Sequence, residues 1–133
     1  MKALEHVNKE IRILVVDDFA SMRQIVRKAL GELGFHNVSE AAGGKDALRK
    51  IESGESFELI ISDWNMPQMS GLDLLQHIRA SDKSKKLPFL MITAEAQRDN
   101  IIEAAKAGVS QYIVKPFTAE SLEQKLGVIF AQR

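Results

Sequence analysis

Residues 11–18 read Ile-Arg-Ile-Leu-Val-Val-Asp-Asp. A nearly continuous apolar run that stops on two carboxylates is the pattern of a strand covered on both faces. Working outward, Met22, Ile25, Val26, Ala29, Leu30 and Leu33 recur at helical spacing, and Gly34 supplies the stop. The alternation then repeats. Residues 37–41 read as a short strand, and 45–52 as a short helix carrying Ala47, Leu48 and Ile51. Residues 59–62 form a buried strand that runs into Asp63. Ser70-Gly71-Leu72-Asp73 has the form of a capping box and opens a helix with Leu72, Leu75 and Ile78 inward. A fourth strand at 89–93 follows Pro88. The helix predicted over 99–107 turns Ile101, Ile102 and Ala105 inward and ends at Gly108. Residues 111–114 are the fifth strand, and a last helix beginning near Thr118 carries Leu122, Leu126, Ile129 and Phe130. Five strands alternating with five helices predict an α/β domain: a doubly wound, five-stranded parallel sheet with right-handed crossovers and helices on both faces.

The 133 residues suit one domain, with residues 1–10 as an N-terminal tail and 11–133 as the folded unit. Eighteen basic and eighteen acidic side chains cancel, so bulk charge gives no hold on nucleic acid. Cysteine is absent, which excludes disulfides and thiol catalysis. No apolar run approaches the roughly 18 residues of a membrane span, and the opening MKALEHVNKE has no signal-peptide core. The expectation is a cytoplasmic monomer with no membrane partner.

In open parallel sheets ligands bind beyond the carboxyl ends of the strands. Asp17 and Asp18 follow the first strand, Asp63 the third, Thr93 ends the fourth, and Lys115-Pro116 follows the fifth. Three carboxylates, a hydroxyl and an ammonium therefore converge on one sheet edge. Carboxylates about 4 Å apart repel by roughly 4 kcal/mol at an effective dielectric near 20, and a hard dication relieves that repulsion. Oxygen-only ligands on rigid strand ends favour Mg2+ that keeps several waters and shares its shell with a phosphoryl group. Asp63 stands alone and is the better nucleophile toward phosphorus, leaving the Asp17/Asp18 pair to hold the metal. Lys115 and Thr93 would meet phosphoryl oxygens, since such transfer is mostly positioning and charge neutralisation.

Singly, these residues have plainer readings. An aspartate after a strand is commonly a helix cap, Lys-Pro a turn, and a strand-end threonine structural. His6, His36 and His77 have no metal-ligand spacing and belong on the surface, and Lys83, Lys85 and Lys86 read as a solvated loop. Two other functions use similar folds. An aspartyl phosphatase would carry a D-x-D motif after the first strand, where this chain has adjacent aspartates. A flavin-binding module would need a donor-rich loop there, where DDFASM offers two negative charges.

The segments LVVDDF (14–19), ISDWNMPQMSGLDLL (61–75), LMITAEA (90–96) and AGVSQYIVKPFTAESLEQKL (107–126) resemble the receiver domain of two-component response regulators, most closely its single-domain chemotaxis members. The resemblance covers the chain from about Ile11 onward and implies no separate output domain. It implies a flavodoxin-like (βα)5 fold with strand order 2-1-3-4-5. Asp63 would be the phosphoacceptor, and Asp18, Asp63 and the Asn65 backbone carbonyl the Mg2+ ligands, with Asp17 acting largely through water. Lys115 would pair with the phosphoryl group, Thr93 would move toward it, and Tyr112 would be the switch aromatic. The resemblance further implies a cis peptide at Lys115–Pro116 and hydrolysis-rate tuning by Asn65 and Glu95. The implied partners are a chemotaxis-type histidine kinase, a phosphatase and the flagellar switch protein. The implied role is a phosphorylation-activated regulator of the flagellar motor, a signalling phosphoacceptor and not a turnover enzyme.

On the implied partner surface, Arg98, Ile101, Tyr112, Phe117 and Lys125 keep the family character. Gln111 replaces a usual small residue, Val128 a usual lysine, and Gly43 a usual acidic residue before Gly44. Gln111 and Val128 favour an alternative: a receiver that serves as a phosphate sink, or another output, without binding the flagellar switch.

Overall fold

A computed structural model describes residues 4–94 and 98–131. Strands β1 (Ile13–Val16), β2 (Val38–Ala41), β3 (Leu59–Asp63), β4 (Phe89–Thr93) and β5 (Gln111–Val114) alternate with helices α1 (Ala20–Glu32), α2 (Gly44–Glu52), α3 (Gly71–Ala80), α4 (Arg98–Lys106) and α5 (Ala119–Ala131). The strands form one parallel sheet in the order β2-β1-β3-β4-β5. This is the flavodoxin-like doubly wound arrangement, with β1 and β3 adjacent where the winding reverses.

The period-2 alternation of strand side chains divides the core into two layers. Ile13 and Val15, Leu59 and Ile61, and Leu90 and Ile92 face α1 and α5, meeting Val26, Leu30, Leu122 and Leu126. Leu14 and Val16, Ile60, and Phe89 and Met91 face the other way onto Ala47, Leu74, Leu75 and Ile78. Both faces of the central strands are thus covered, which is why their sequences are apolar throughout. Ser70 and Asp73 form the expected reciprocal cap of α3. Gly34 and Gly108, at φ +98° and +92°, end α1 and α4 in the left-handed conformation.

Several expectations are corrected. Ile11 and Arg12 precede β1, and β2 starts at Val38. Ile25 is 53% exposed, because it lies at the margin of the stripe that Val26, Ala29, Leu30 and Leu33 fill. In α4 the buried residue is Ala104; Ile102 and Ala105 are exposed and Ile101 is half-buried. Ile101 and Ala104, at i and i+3, share the inward face, and Ile102 is turned to solvent despite its apolar side chain. In α3, Leu74 is buried and Leu72 only partly so. Residues 4–10, expected as a tail, lie against the domain: Leu4 is 1% exposed within the first core layer, and Lys9 Nζ donates to its carbonyl. Among the described residues no helix is long and apolar enough to cross a membrane. His6, His36 and His77 are exposed.

Candidate functional site: an acidic pocket at the strand ends

The carboxyl ends of β1, β3, β4 and β5 meet at one edge. As β1 ends, the Asp17 N–H donates to the Ala41 carbonyl at 3.1 Å, keeping the chain on the sheet for one more residue. The Asp17 carboxylate then accepts the Phe19 N–H at 2.9 Å through Oδ1, at the entry to α1. Asp17 is only 2% exposed. Burial pushes its pKa above the ordinary carboxylate value, and the nearby Asp63 and Asp18 charges push the same way.

Asp63 closes β3 and is likewise buried. The loop after it folds back tightly: the Trp64 N–H donates to the Ile92 carbonyl and the Gly71 N–H to the Trp64 carbonyl, each at 2.8 Å. A Cβ on Gly71 would lie 2.3 Å from the Asp63 carbonyl oxygen, so only glycine permits this closure.

Lys115 follows β5. Its N–H donates to the Thr93 carbonyl at 2.8 Å, the Lys115–Pro116 peptide is cis, and its ammonium lies 3.1 Å from Asp63 Oδ1. Thr93 is buried beside them at the end of β4, opposite Val114 in register.

Asp17, Asp18 and Asp63 each bring a carboxylate oxygen to within 4.8 Å of the others. At that spacing ionised pairs repel by roughly 3–4 kcal/mol at an effective dielectric near 20. Lys115 offsets only part of this. Asp17 Oδ2 and Asp18 Oδ1 are buried without a hydrogen-bond donor, and such acceptors are costly unless something satisfies them. The donors are all hard oxygens with no imidazole or thiolate among them, which fits a magnesium-type cation.

The pocket therefore unites Asp17, Asp18, Asp63, Thr93 and Lys115. Asn65 is exposed in the loop beyond β3. Glu95 lies outside the described residues. Tyr112 is half-buried, with Lys125 Nζ 4.9 Å from its ring centroid and 3.5 Å from Gln111 Oε1. Arg98 is exposed, Ile101 and Phe117 are half-buried, Pro116 is exposed, and Val128 is 41% exposed on α5. Sequence reasoning missed Arg23 and Glu40, which hydrogen-bond to each other just outside the pocket, Arg23 also reaching the Asp17 carbonyl. No local signal marks them, because they lie 17 residues apart and meet only through sheet pairing. A cavity of about 620 Å³ lies at the opposite end of the strands, between residues 54–58 and 82–88.

A family model described as the response regulator receiver domain matches residues 13–127. The chemotaxis protein CheY-3 of Vibrio cholerae is 56% identical over 124 residues, covering 93% of this chain and 95% of that protein. The chemotaxis protein CheY of Pseudomonas aeruginosa is 53% identical over 120 residues, covering 90% and 96% respectively. Among solved structures, the chemotaxis protein CheY4 of Vibrio cholerae superposes with a TM-score of 0.83 at 36% identity, over 90% of this chain and 98% of that one.

Proposed function

We propose, from the premise that this chain belongs to the response regulator receiver domain family, that it is a chemotaxis response regulator that accepts a phosphoryl group on Asp63 from a histidine kinase. The observation that carries the reading is the buried Asp63 carboxylate, 3.1 Å from the Lys115 ammonium and beside two carboxylates with unsatisfied oxygens. A nucleophile, a cation for the incoming charge and a cation-seeking pocket lie together, as phosphoryl transfer needs.

In this reading an Asp63 oxygen forms the new P–O bond as the P–N bond of the donor phosphohistidine breaks, and the electron pair leaves with the imidazole. Lys115 holds Asp63 before transfer and meets a phosphoryl oxygen afterwards. The Thr93 hydroxyl turns to another of those oxygens. Asp17, Asp18, Asp63 and the Asn65 carbonyl would hold Mg2+, which when bound neutralises charge on the phosphoryl group. Asn65 and Glu95 tune how long the acyl phosphate lasts, with a phosphatase as a further partner. The protein is a signalling phosphoacceptor whose own residues assist its phosphorylation and hydrolysis. Its setting is the cytoplasm, as a monomer.

The strand order supports a route to an output. Thr93 and Tyr112 lie on the adjacent strands β4 and β5. Movement of the Thr93 hydroxyl opens room for Tyr112 and biases the face formed by α4, β5 and α5, where Arg98, Ile101, Phe117 and Lys125 would meet the flagellar switch protein. The phosphoryl group shifts this equilibrium only by its differential affinity for the two states.

Two observations favour the second reading, a phosphate sink or a receiver with another output. Gln111 draws the Lys125 ammonium toward β5, and the exposed Val128 leaves α5 without a charge at that point. Lost rim charge weakens electrostatic steering of a partner. The discriminating experiment is binding of the switch protein's N-terminal peptide in Mg2+ and beryllofluoride, with Asp63→Asn as control. Binding confined to the activated wild type supports motor control; an activated protein that does not bind favours the sink.

A further inference from the structure

The acidic pocket has a basic neighbour that does not neutralise it. Arg23, on α1, donates from Nη1 to the backbone carbonyl of Asp17 at 2.7 Å and not to its carboxylate. Nε of the same guanidinium donates to Glu40 Oε1 at 2.8 Å. The other Glu40 oxygen accepts Arg27 Nη1, and Arg27 Nη2 reaches the Val38 carbonyl at 2.9 Å. The Arg23 side chain is only 17% exposed. Glu40 lies on β2, opposite Val15 in the β1 register. A continuous path of charged hydrogen bonds therefore runs from β2 through α1 to the turn that carries Asp17 and Asp18.

A guanidinium presents its donors in a fixed planar fork. With Nε engaged on Glu40, covalent geometry sets the direction of Nη1, and the Asp17 carbonyl it meets is fixed in turn. The Asp17 N–H is already bound to Ala41 and its carboxylate to the Phe19 N–H. Arg23 completes this set by fixing the peptide plane that leads into Asp18. Glu40 also keeps both guanidinium groups on its own carboxylate, away from the pocket carboxylates where they would compete with a dication.

We propose that Arg23, oriented by Glu40, is a positioning residue for the cation pocket. It holds the 17–19 turn so that the Asp17 and Asp18 oxygens face Asp63, and it touches neither metal nor phosphoryl group. This inference rests on the reading of the pocket as a Mg2+ site. Outer partners that orient metal ligands commonly govern affinity in this way.

The test is calorimetric titration of the full chain with MgCl2, below the unfolding midpoint of each variant, for wild type, Arg23→Lys, Glu40→Gln and the double variant. Lysine keeps the charge of Arg23 and loses its fork. The expected result is an increase of about tenfold in the Mg2+ Kd for Arg23→Lys, and a double variant no weaker than Arg23→Lys, because both changes break one path. A wild-type Kd in Arg23→Lys, whatever its melting temperature, would overturn the proposal, as would losses that multiply in the double variant. A wild type that fails to bind Mg2+ would overturn the reading beneath it, at a separate step of the same experiment.

Discussion

The Lys115 ammonium lies 3.1 Å from Asp63 Oδ1, bridging the turn after β5 and the end of β3 across the intervening β4. Among the described residues the pocket thus sets one cation, Lys115, against the carboxylates of Asp17, Asp18 and Asp63, and that cation sits on the carboxylate proposed as phosphoacceptor. Lys115→Ala leaves Asp63 buried beside two like charges. Breaking a buried pair from one side costs 3–5 kcal/mol, and the partial exposure of Lys115 lowers this to about 1–3 kcal/mol. The check is urea unfolding without divalent cation. Adding Mg2+ should return much of the loss.

Asp17→Asn should act in the opposite direction. It removes a buried charge whose pKa is raised first by burial and then by Asp63 and Asp18. Because the folded pKa lies above the unfolded value, ionising Asp17 opposes folding. Wild-type stability should therefore fall relative to Asp17→Asn as pH rises from about 3.8 through the folded value, and the gap should then stay constant. In neutral buffer containing EDTA the variant should be more stable by about 1 kcal/mol or more, part of the 3–4 kcal/mol pair repulsion. Mg2+ should narrow or reverse that gap. Urea unfolding across pH, with and without Mg2+, checks both statements.

Glu40 has the reverse pH dependence. Hydrogen bonds from Arg23, and then from Arg27, hold its carboxyl below the usual value of 4.5. Its contribution is fully present above that value and is lost as pH falls through the lower folded pKa. Glu40→Gln should therefore narrow its deficit against wild type on acidification below about 4.5, while the deficit above that stays flat. The same pH series of urea unfolding measures it.

Much of this site was legible because its signals are local. Each of Asp17, Asp18, Asp63, Thr93 and Lys115 stands at the end of an apolar run, and the alternation of strands and helices sends all those ends to one edge. What escaped was set by tertiary pairing. The Arg23–Glu40 bond exists only because β2 lies beside β1, and nothing near either residue announces it. Leu4 reads as part of a polar tail, yet fills space in the first core layer. Ile25 and Ile102 show the converse: periodicity identified their helices, while tertiary packing left these two apolar residues outside.

Gln68, in the loop between β3 and α3, has φ +70°. Its neighbours close a tight turn, the Met69 N–H donating to the Pro67 carbonyl at 2.7 Å. Side chains other than glycine and asparagine occupy this region at a cost of roughly 1–2 kcal/mol. Gln68→Gly should stabilise the protein by about 0.5–1 kcal/mol, the relief being partly offset by the greater freedom of glycine in the unfolded chain. Thermal unfolding of the two proteins side by side would show it.

The most direct test of the account is to incubate the protein with a small-molecule phosphodonor and Mg2+, reduce the acyl phosphate with borohydride, and map the modified residue by peptide mass spectrometry. The account predicts a single modified aspartate, Asp63, with modification lost in EDTA and in Asp63→Asn. Modification at another carboxylate in the wild type, or none at all, would contradict it.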